Sequence, residues 1–214
     1  MTRYPPRRNY LLIGKSKNRR AFVKGALLAA FCLSPLRVIS RQTSETAATK
    51  GFSLKGTVYE RVGKEANIDP LLLYAITCVE SAITASSKEH IRPYPWTLRY
   101  AGRPFYGKNR GEAEQRLKAI LLRNPNASVD IGIAQINNAW HGHRVKNRLD
   151  LLDPYTNLKV AAQILNDCLK RHPNDAFKAI GTYHSSTPHK SARYARYVVN
   201  VYTRLKENAL RNGV

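Results

Sequence analysis

The chain has 214 residues, and its 36 Lys and Arg against 14 Asp and Glu give a formal net charge of +22 at pH 7. This length suits one domain with a single substantial core, and the excess of cations favours partners that carry negative charge. The basic residues are spread along the chain and match no motif that reads a nucleic-acid groove, so we expect no nucleic-acid partner.

The first 40 residues have the pattern of an export signal. They contain nine Lys and Arg and no acid, and an apolar run extends from Gly25 to Leu33. The run is shorter than a bilayer-spanning helix and suits a signal peptide, which predicts a periplasmic protein without a stable membrane span in its mature form. Arg19-Arg20, followed by Phe22 and Lys24, is similar to a twin-arginine signal. A general export signal and an uncleaved anchor are the alternatives.

The mature chain divides into two parts. Without the nine leader cations, residues 41–214 keep 27 Lys and Arg against 14 acids, a net charge of +13. Residues 41–55 are polar and rich in Ser and Thr, which predicts a flexible N-terminal segment. Residues 56–214 are predicted to form a single folded domain.

Two helices are predicted near the start of this domain. The first covers Val58 to Ala66, and the second begins at Asp69-Pro70, where Asp69 is the N-cap and Pro70 the first helical residue. Apolar residues recur at helical spacing on the second helix, which predicts a buried face: Leu72, Ile76, Val79 and Ile83. Glu80 falls at the edge of this face, where loss of hydration raises the pKa of a carboxyl group. An ordinary solvated Glu is the alternative.

The remaining elements predict a mostly helical α+β fold. Residues 96–106 have the pattern of a small β-hairpin turning at Ala101-Gly102, and residues 129–136 read as a short extended piece. Helices are predicted over residues 112–122, 157–170, 175–183 and 191–209. The hairpin is expected beside a cleft.

Three short motifs follow one another along the chain. They are Glu80-Ser81 at a helix end, Gly132-Ile-Ala-Gln135 after Asp130, and an Ala179 segment that ends in Tyr183-His184-Ser185. In order and spacing they resemble the soluble-transglycosylase type of lytic transglycosylase, within the lysozyme-like superfamily. Ala134 stands where that family usually has Met, and His184 where it usually has Asn. The resemblance covers roughly residues 56–208.

The resemblance implies a reaction and a set of roles. Glu80 would protonate the MurNAc–GlcNAc β-1,4 oxygen and then take a proton from the muramic acid 6-hydroxyl, which gives a 1,6-anhydro product without a second carboxylate or a cofactor. Tyr183 would orient Glu80, and Ser81 and Gln135 would line the sugar site. From the residues alone, a core aromatic, a helix-end cap and a surface polar residue are the respective alternatives.

Other candidate residues have weaker motifs. Tyr94 and Trp96 would either stack on sugar faces or form the hairpin's own small core. His184 would contact sugar or simply replace Asn. Asp130 is the nearest candidate for a second carboxylate, although a turn or strand-end role suits it better. The pair His141 and His143 lacks a third ligand motif, so we expect no metal.

Two further stretches refine the resemblance. Residues 94–104 and 151–158 are similar to those of transglycosylases carried by integrating conjugative elements. This implies peptidoglycan glycan strands as substrate and a conjugative secretion apparatus as partner. The carboxylates of the stem peptides would attract a cationic enzyme. The alternative functions are a hydrolytic muramidase or chitinase-like glycosidase and a non-catalytic wall-binding secretion scaffold.

Two cysteines remain in the mature chain. Cys78 and Cys168 both fall on predicted helices. An oxidising periplasm permits a disulfide between them, and two buried free thiols are the alternative.

Overall fold

The computed structural model describes residues 52–83 and 92–211. The predicted signal peptide at residues 1–40 and residues 41–51 of the predicted flexible segment lie outside the described residues. The end of that segment is packed, because the ring of Phe52 lies 5.1 Å from the ring of Tyr74. Packing of the domain therefore starts before its predicted boundary at residue 56.

Helices account for most of the described residues, in agreement with the predicted fold class. The α-helices are α1 Val58–Ala66, α2 Pro70–Ser81, α3 Arg110–Arg123, α4 Asn138–His141, α5 Pro154–Arg171, α6 Ala176–His184 and α7 Pro188–Arg211. Two 3-10 helices, Gly142–Arg144 and Arg148–Leu152, join α4 to α5. The sequence patterns did not predict these two or α4.

The strands form a small antiparallel region. They are β1 Ala82–Ile83, β2 Arg92–Pro93, β3 Thr97–Tyr100, β4 Arg103–Tyr106, β5 Val129–Ile131 and β6 Ile136–Asn137. β1 pairs with β2, and the other four form one sheet in the order β4-β3-β5-β6. The predicted mostly helical α+β fold with a small β element is confirmed.

Asp-Pro pairs start two of the central helices. The Asp69 carboxylate accepts a 2.8 Å hydrogen bond from the Leu71 amide, and α2 begins at Pro70 as predicted. The Asp153 carboxylate likewise accepts from the Thr156 amide at 2.9 Å, so α5 begins at Pro154. This start is three residues before the predicted one, because the prediction did not use the Asp153-Pro154 capping signal.

One of the two hairpins in the sheet was predicted from the sequence, and the other was not. The 96–106 hairpin is confirmed, and Ala101 and Gly102 both have positive φ, as a tight two-residue turn requires. The prediction of one extended piece over residues 129–136 is wrong. Gly132 (φ 77°) and Gln135 (φ 50°) leave the extended region, so the segment folds back on itself and β6 pairs with β5.

The core lies between the helices and one face of the sheet. Helix α5 packs against α1 and α6, and α7 packs against α2 and α6. The fully buried face of α2 contains Leu73, Ile76 and Thr77, whereas the predicted Leu72 and Val79 are half-buried at its edge. The helical spacing was right as far as Val79, with the centre of the face one position away, and wrong for Ile83, which lies in β1 because α2 ends at Ser81.

The cysteines are not cross-linked. Cys78 on α2 is half-buried, Cys168 on α5 is buried, and both are free thiols. Burial raises the pKa of the Cys78 thiol to about 12, which makes it a poor nucleophile.

None of the helices in residues 52–83 and 92–211 combines the length and apolarity that crossing a bilayer requires.

Candidate active site

Glu80 lies in the last turn of α2, and its side chain is only 5% exposed. Its Oε1 atom is 3.7 Å from Nδ1 of His184. The burial that the sequence predicted at the edge of the apolar face is confirmed, and the raised pKa of this carboxyl stays a prediction. A shielded carboxyl at a helix end is suited to hold a proton and release it to a bound substrate.

Tyr183 lies beside Glu80. The pKa of its phenol is well above its usual value, first because the hydroxyl is buried and then because of the negative charge of Glu80. The hydroxyl donates a 3.1 Å hydrogen bond to the carbonyl oxygen of Ala134. Tyr183 therefore joins α6 to the turn between β5 and β6, and it borders the acid with its proton directed away from it.

His184 is held by a stack of rings. Its imidazole lies 4.6 Å from the ring of Tyr194, with 5° between the two planes. Tyr194 belongs to α7, is 3% exposed, and also stacks with Tyr183 at 6.3 Å. The third motif and the first thus meet in space, because α6 and α7 bring Tyr183 and His184 to the end of α2.

The turn after β5 carries the second motif. Gln135 adopts a left-handed backbone conformation, and its Nε2 donates to the carbonyls of Gly132 (2.9 Å) and Thr97 (3.2 Å). Both bonds run to the backbone, so the amide nitrogen of Gln135 closes the turn onto β3. Its predicted contact with sugar stays a prediction.

Asn157 is a residue of the site that the sequence motifs did not indicate. It is completely buried on α5, and its Nδ2 donates to the carbonyls of Ile131 (2.9 Å) and Leu151 (2.6 Å). Its Oδ1 accepts from the amide of Ala134 at 2.8 Å. The only signal in the sequence was a polar Asn among apolar helical residues, which requires internal hydrogen bonds when it is buried.

Gly132 and Asn157 are packed tightly against each other. A Cβ on Gly132 would overlap Nδ2 of Asn157 and the carbonyl oxygen of Leu151. With its positive φ, this position therefore suits glycine for two independent reasons. The glycine of the second motif lets the turn approach α5.

Ser81 ties α2 to the strand that leads into the hairpin. Ser81 is only 2% exposed. Its Oγ donates a hydrogen bond to the Thr77 carbonyl and accepts one from the Tyr94 amide, both at 3.2 Å. The Tyr94 hydroxyl donates to the Gly107 carbonyl at 2.6 Å. Tyr94 packs edge-on against Trp96 at 5.7 Å, so these rings form the small core of the hairpin, one of the two alternatives considered. Their contact with sugar stays a prediction.

Asp130 is linked through the side chain of Asn137 to the start of α4, which carries an exposed indole. Asp130 on β5 is half-buried, its Oδ1 accepts a 2.8 Å hydrogen bond from Nδ2 of Asn137, and its charge also raises the pKa of Tyr183. The Asn137 side chain caps α4 by accepting from the Trp140 amide at 3.3 Å. Trp140 is 73% exposed and was not singled out from the sequence.

His141 and His143 lie in different environments. His141 is half-buried, and burial together with the charge of Arg144 lowers its pKa to about 4, while His143 is exposed. Within the described ranges, no group of three or more His, Cys, Asp or Glu is placed to hold a metal ion.

The geometry and the family comparison agree. A model of the family described as the transglycosylase SLT domain matches residues 58–200, a stretch that contains all three motifs. No curated protein matched the chain. The expected lysozyme-like domain is thereby confirmed, with Glu80, Tyr183 and His184 brought together at one site. The chain belongs to the transglycosylase SLT domain family, whose members are lytic transglycosylases, lyases that act on peptidoglycan.

Proposed function

We propose that this enzyme cleaves the MurNAc–GlcNAc β-1,4 bond and forms 1,6-anhydro-MurNAc. Glu80 gives its proton to the glycosidic oxygen, and the bond from that oxygen to C1 of MurNAc breaks. The resulting carboxylate takes the proton of the C6 hydroxyl while O6 bonds to C1. The substrate supplies the nucleophile, no water is consumed, and Glu80 ends protonated as it began.

The observation that supports this reaction is the shielding of Glu80. Its side chain is 5% exposed and bordered by His184 and the phenol of Tyr183. A carboxyl with so little access to water favours a nucleophile that arrives with the bound sugar.

The substitution Glu80→Gln tests the assignment of the acid. The amide keeps the size of the side chain but has no proton to give, so we expect turnover to fall by about 100- to 10,000-fold. Release of soluble fragments from purified peptidoglycan is the measurement, with the melting temperature as the check on folding. Glu207→Gln is the matched control, because Glu207 is exposed on α7. Near-normal turnover by the Glu80 variant would remove the catalytic assignment.

A hydrolytic muramidase is the second candidate, and Asp130 is the observation that favours it. Its negative charge acts on the same phenol as that of Glu80, so two carboxylates border Tyr183. A second carboxylate is what retaining and inverting glycosidases use. Digestion in 18O-labelled water separates the two reactions. An anhydro product contains no label and is lighter by one water, whereas a hydrolytic product carries the label at C1.

We propose that the enzyme works in the periplasm after export by the twin-arginine route. The support is the pattern of Arg19-Arg20, Phe22 and Lys24 before an apolar run. Replacing both arginines with lysine in a fusion to a folded reporter is expected to abolish export of that reporter. Undiminished export would mean that the general pathway carries the protein.

We further propose that the enzyme opens the cell wall for a conjugative secretion apparatus. The support is the similarity of residues 94–104 and 151–158 to transglycosylases of integrating conjugative elements. Loss of the gene is expected to lower transfer frequency, and the wild-type gene to restore it. Restoration by the Glu80→Gln form as well would favour the non-catalytic scaffold instead.

A further inference from the structure

We propose that His184 is a positioning residue for Glu80, whose carboxylate it stabilises between the two proton transfers. This inference rests on the proposed function of Glu80 as acid and then base. It concerns a position where the resembling family usually has Asn.

The distance between the two groups suits this role. Nδ1 of His184 lies 3.7 Å from Oε1 of Glu80, which is longer than a hydrogen bond and within the range of an ion pair. The proton of a protonated Glu80 is therefore not committed to the imidazole. Once Glu80 has released that proton, its new negative charge attracts the imidazole N–H at short range.

The burial of Glu80 strengthens the interaction. The side chain of Glu80 is only 5% exposed, whereas that of His184 is 28% exposed and His184 as a whole residue is exposed, so the acid is shielded while the imidazole reaches solvent. Partial exclusion of water lowers the screening of charges, which makes a nearby donor more effective than it is on an open surface.

The imidazole is held in place before the reaction. It stacks on the ring of Tyr194 at 4.6 Å with nearly parallel planes, and Tyr194 itself is buried on α7. Because the ring is already immobilised, little conformational entropy is lost when it meets the carboxylate. The stack fixes where the imidazole lies, and the nitrogen supplies the electrostatic effect.

The proton balance of the reaction is unchanged by this role. Glu80 still gives one proton to the glycosidic oxygen and recovers one from the C6 hydroxyl, and His184 gives up none. The titratable groups that act on the neighbouring Tyr183 phenol besides Glu80 are Cys168 on α5 and Asp130 on β5, both of which raise its pKa, and Tyr194 on α7 stacks on the imidazole. Among these groups, His184 is the one whose N–H lies within ion-pair distance of the carboxyl and can stabilise its ionised form.

Two substitutions separate the ring from its nitrogen. His184→Phe keeps an aromatic ring on Tyr194 and removes the donor, whereas His184→Gln keeps an amide donor and removes the ring. For soluble glycan strands, we expect His184→Phe to lower kcat about 10- to 100-fold with little change in KM. His184→Gln is expected to retain more activity than His184→Phe.

The pH profile gives a second readout. Loss of a group that stabilises the carboxylate raises the pKa of Glu80, so the alkaline limb of kcat should move to higher pH in His184→Phe. His189→Phe is the matched control, because His189 is exposed in the first turn of α7. It is expected to change neither kcat nor the limb.

The outcomes distinguish this inference from the proposed function. Unchanged kcat and an unmoved alkaline limb in His184→Phe, with Glu80→Gln inactive, would overturn the role of His184 and leave the acid assigned. An active Glu80→Gln would overturn the proposed function itself. If His184→Phe fails to fold, His184→Leu, which has neither the ring nor the donor, is measured in its place, and an unchanged kcat and limb in that variant would overturn the inference.

Discussion

The helical side and the sheet side of the site are held by different forces. The helical side consists of Glu80, Tyr183, His184 and Tyr194, where the rings of Tyr183 and His184 stack on the buried ring of Tyr194. The sheet side consists of the turn from Gly132 to Gln135, which is bonded to α5 through the side chain of Asn157. Many small contacts stabilise the stacked rings, whereas three hydrogen bonds of Asn157 join the end of β5, the turn and the 3-10 helix before α5.

This difference predicts how each side responds to substitution. Many small dispersion contacts stabilise packed rings, so an altered ring loses part of its packing. A buried amide with three partners behaves otherwise, since its removal leaves each partner without water or a bond. We therefore expect substitutions on the sheet side to lower mainly the free energy of unfolding, and substitutions on the helical side to lower mainly kcat.

Asn157→Ala is expected to have the largest effect on stability. It leaves two carbonyls and one amide of the buried network without their partner, at a cost of about 3–5 kcal/mol in the free energy of unfolding. Asn166→Ala is the matched control on the same helix, because Asn166 donates one half-buried bond to the Ala66 carbonyl. Denaturant unfolding measures both. Equal losses would mean that the turn does not depend on Asn157.

Gly132→Ala is expected to come next. A positive φ of 77° and overlap with Asn157 and the Leu151 carbonyl together cost about 2–4 kcal/mol. Gly56→Ala isolates the backbone effect, since Gly56 has φ 74° and no atom within 4 Å of an added Cβ. Thermal unfolding of the two variants should show a clearly larger loss at Gly132. If both lose the same stability, close packing against α5 contributes nothing.

Tyr183→Phe tests the junction of the two sides. Removing its hydroxyl breaks the bond to the Ala134 carbonyl and should lower the free energy of unfolding by about 1 kcal/mol. We also expect kcat to fall, and by more than this loss of stability accounts for. Tyr155→Phe is the control, because its hydroxyl bonds to the exposed Glu65 away from the site. Stability measured beside turnover separates the effects. A Tyr183 variant with normal kcat would show that the phenol only packs.

Ser81→Ala is expected to have the smallest effect. It removes the link between the Thr77 carbonyl and the Tyr94 amide, which should cost about 1 kcal/mol of stability while KM stays unchanged. Ser53→Ala, at an exposed position, serves as the reference. Turnover of soluble glycan strands across substrate concentrations gives KM. A raised KM with normal stability would instead support the contact of Ser81 with sugar.

Local signals account for the parts of the fold that the sequence determined. The cap at Asp69-Pro70 predicted the start of α2, its helical spacing predicted a buried face with Glu80 at the edge, and Ala101-Gly102 predicted the hairpin turn. Each of these depends on residues within a few positions of one another, so one sequence is enough to predict them. Each of the three motifs is likewise a short run of residues, and their order along the chain indicated the family.

Tertiary structure alone decided how the motifs are held together. The role of Asn157 requires contacts with carbonyls at Ile131 and Leu151 and with an amide at Ala134, as far as 26 positions away in the chain. The fold back after Gly132 and the stack of His184 on Tyr194 likewise depend on which helix lies opposite. A residue pattern records which side chains prefer burial, and only the packed chain determines which partner each buried polar group meets.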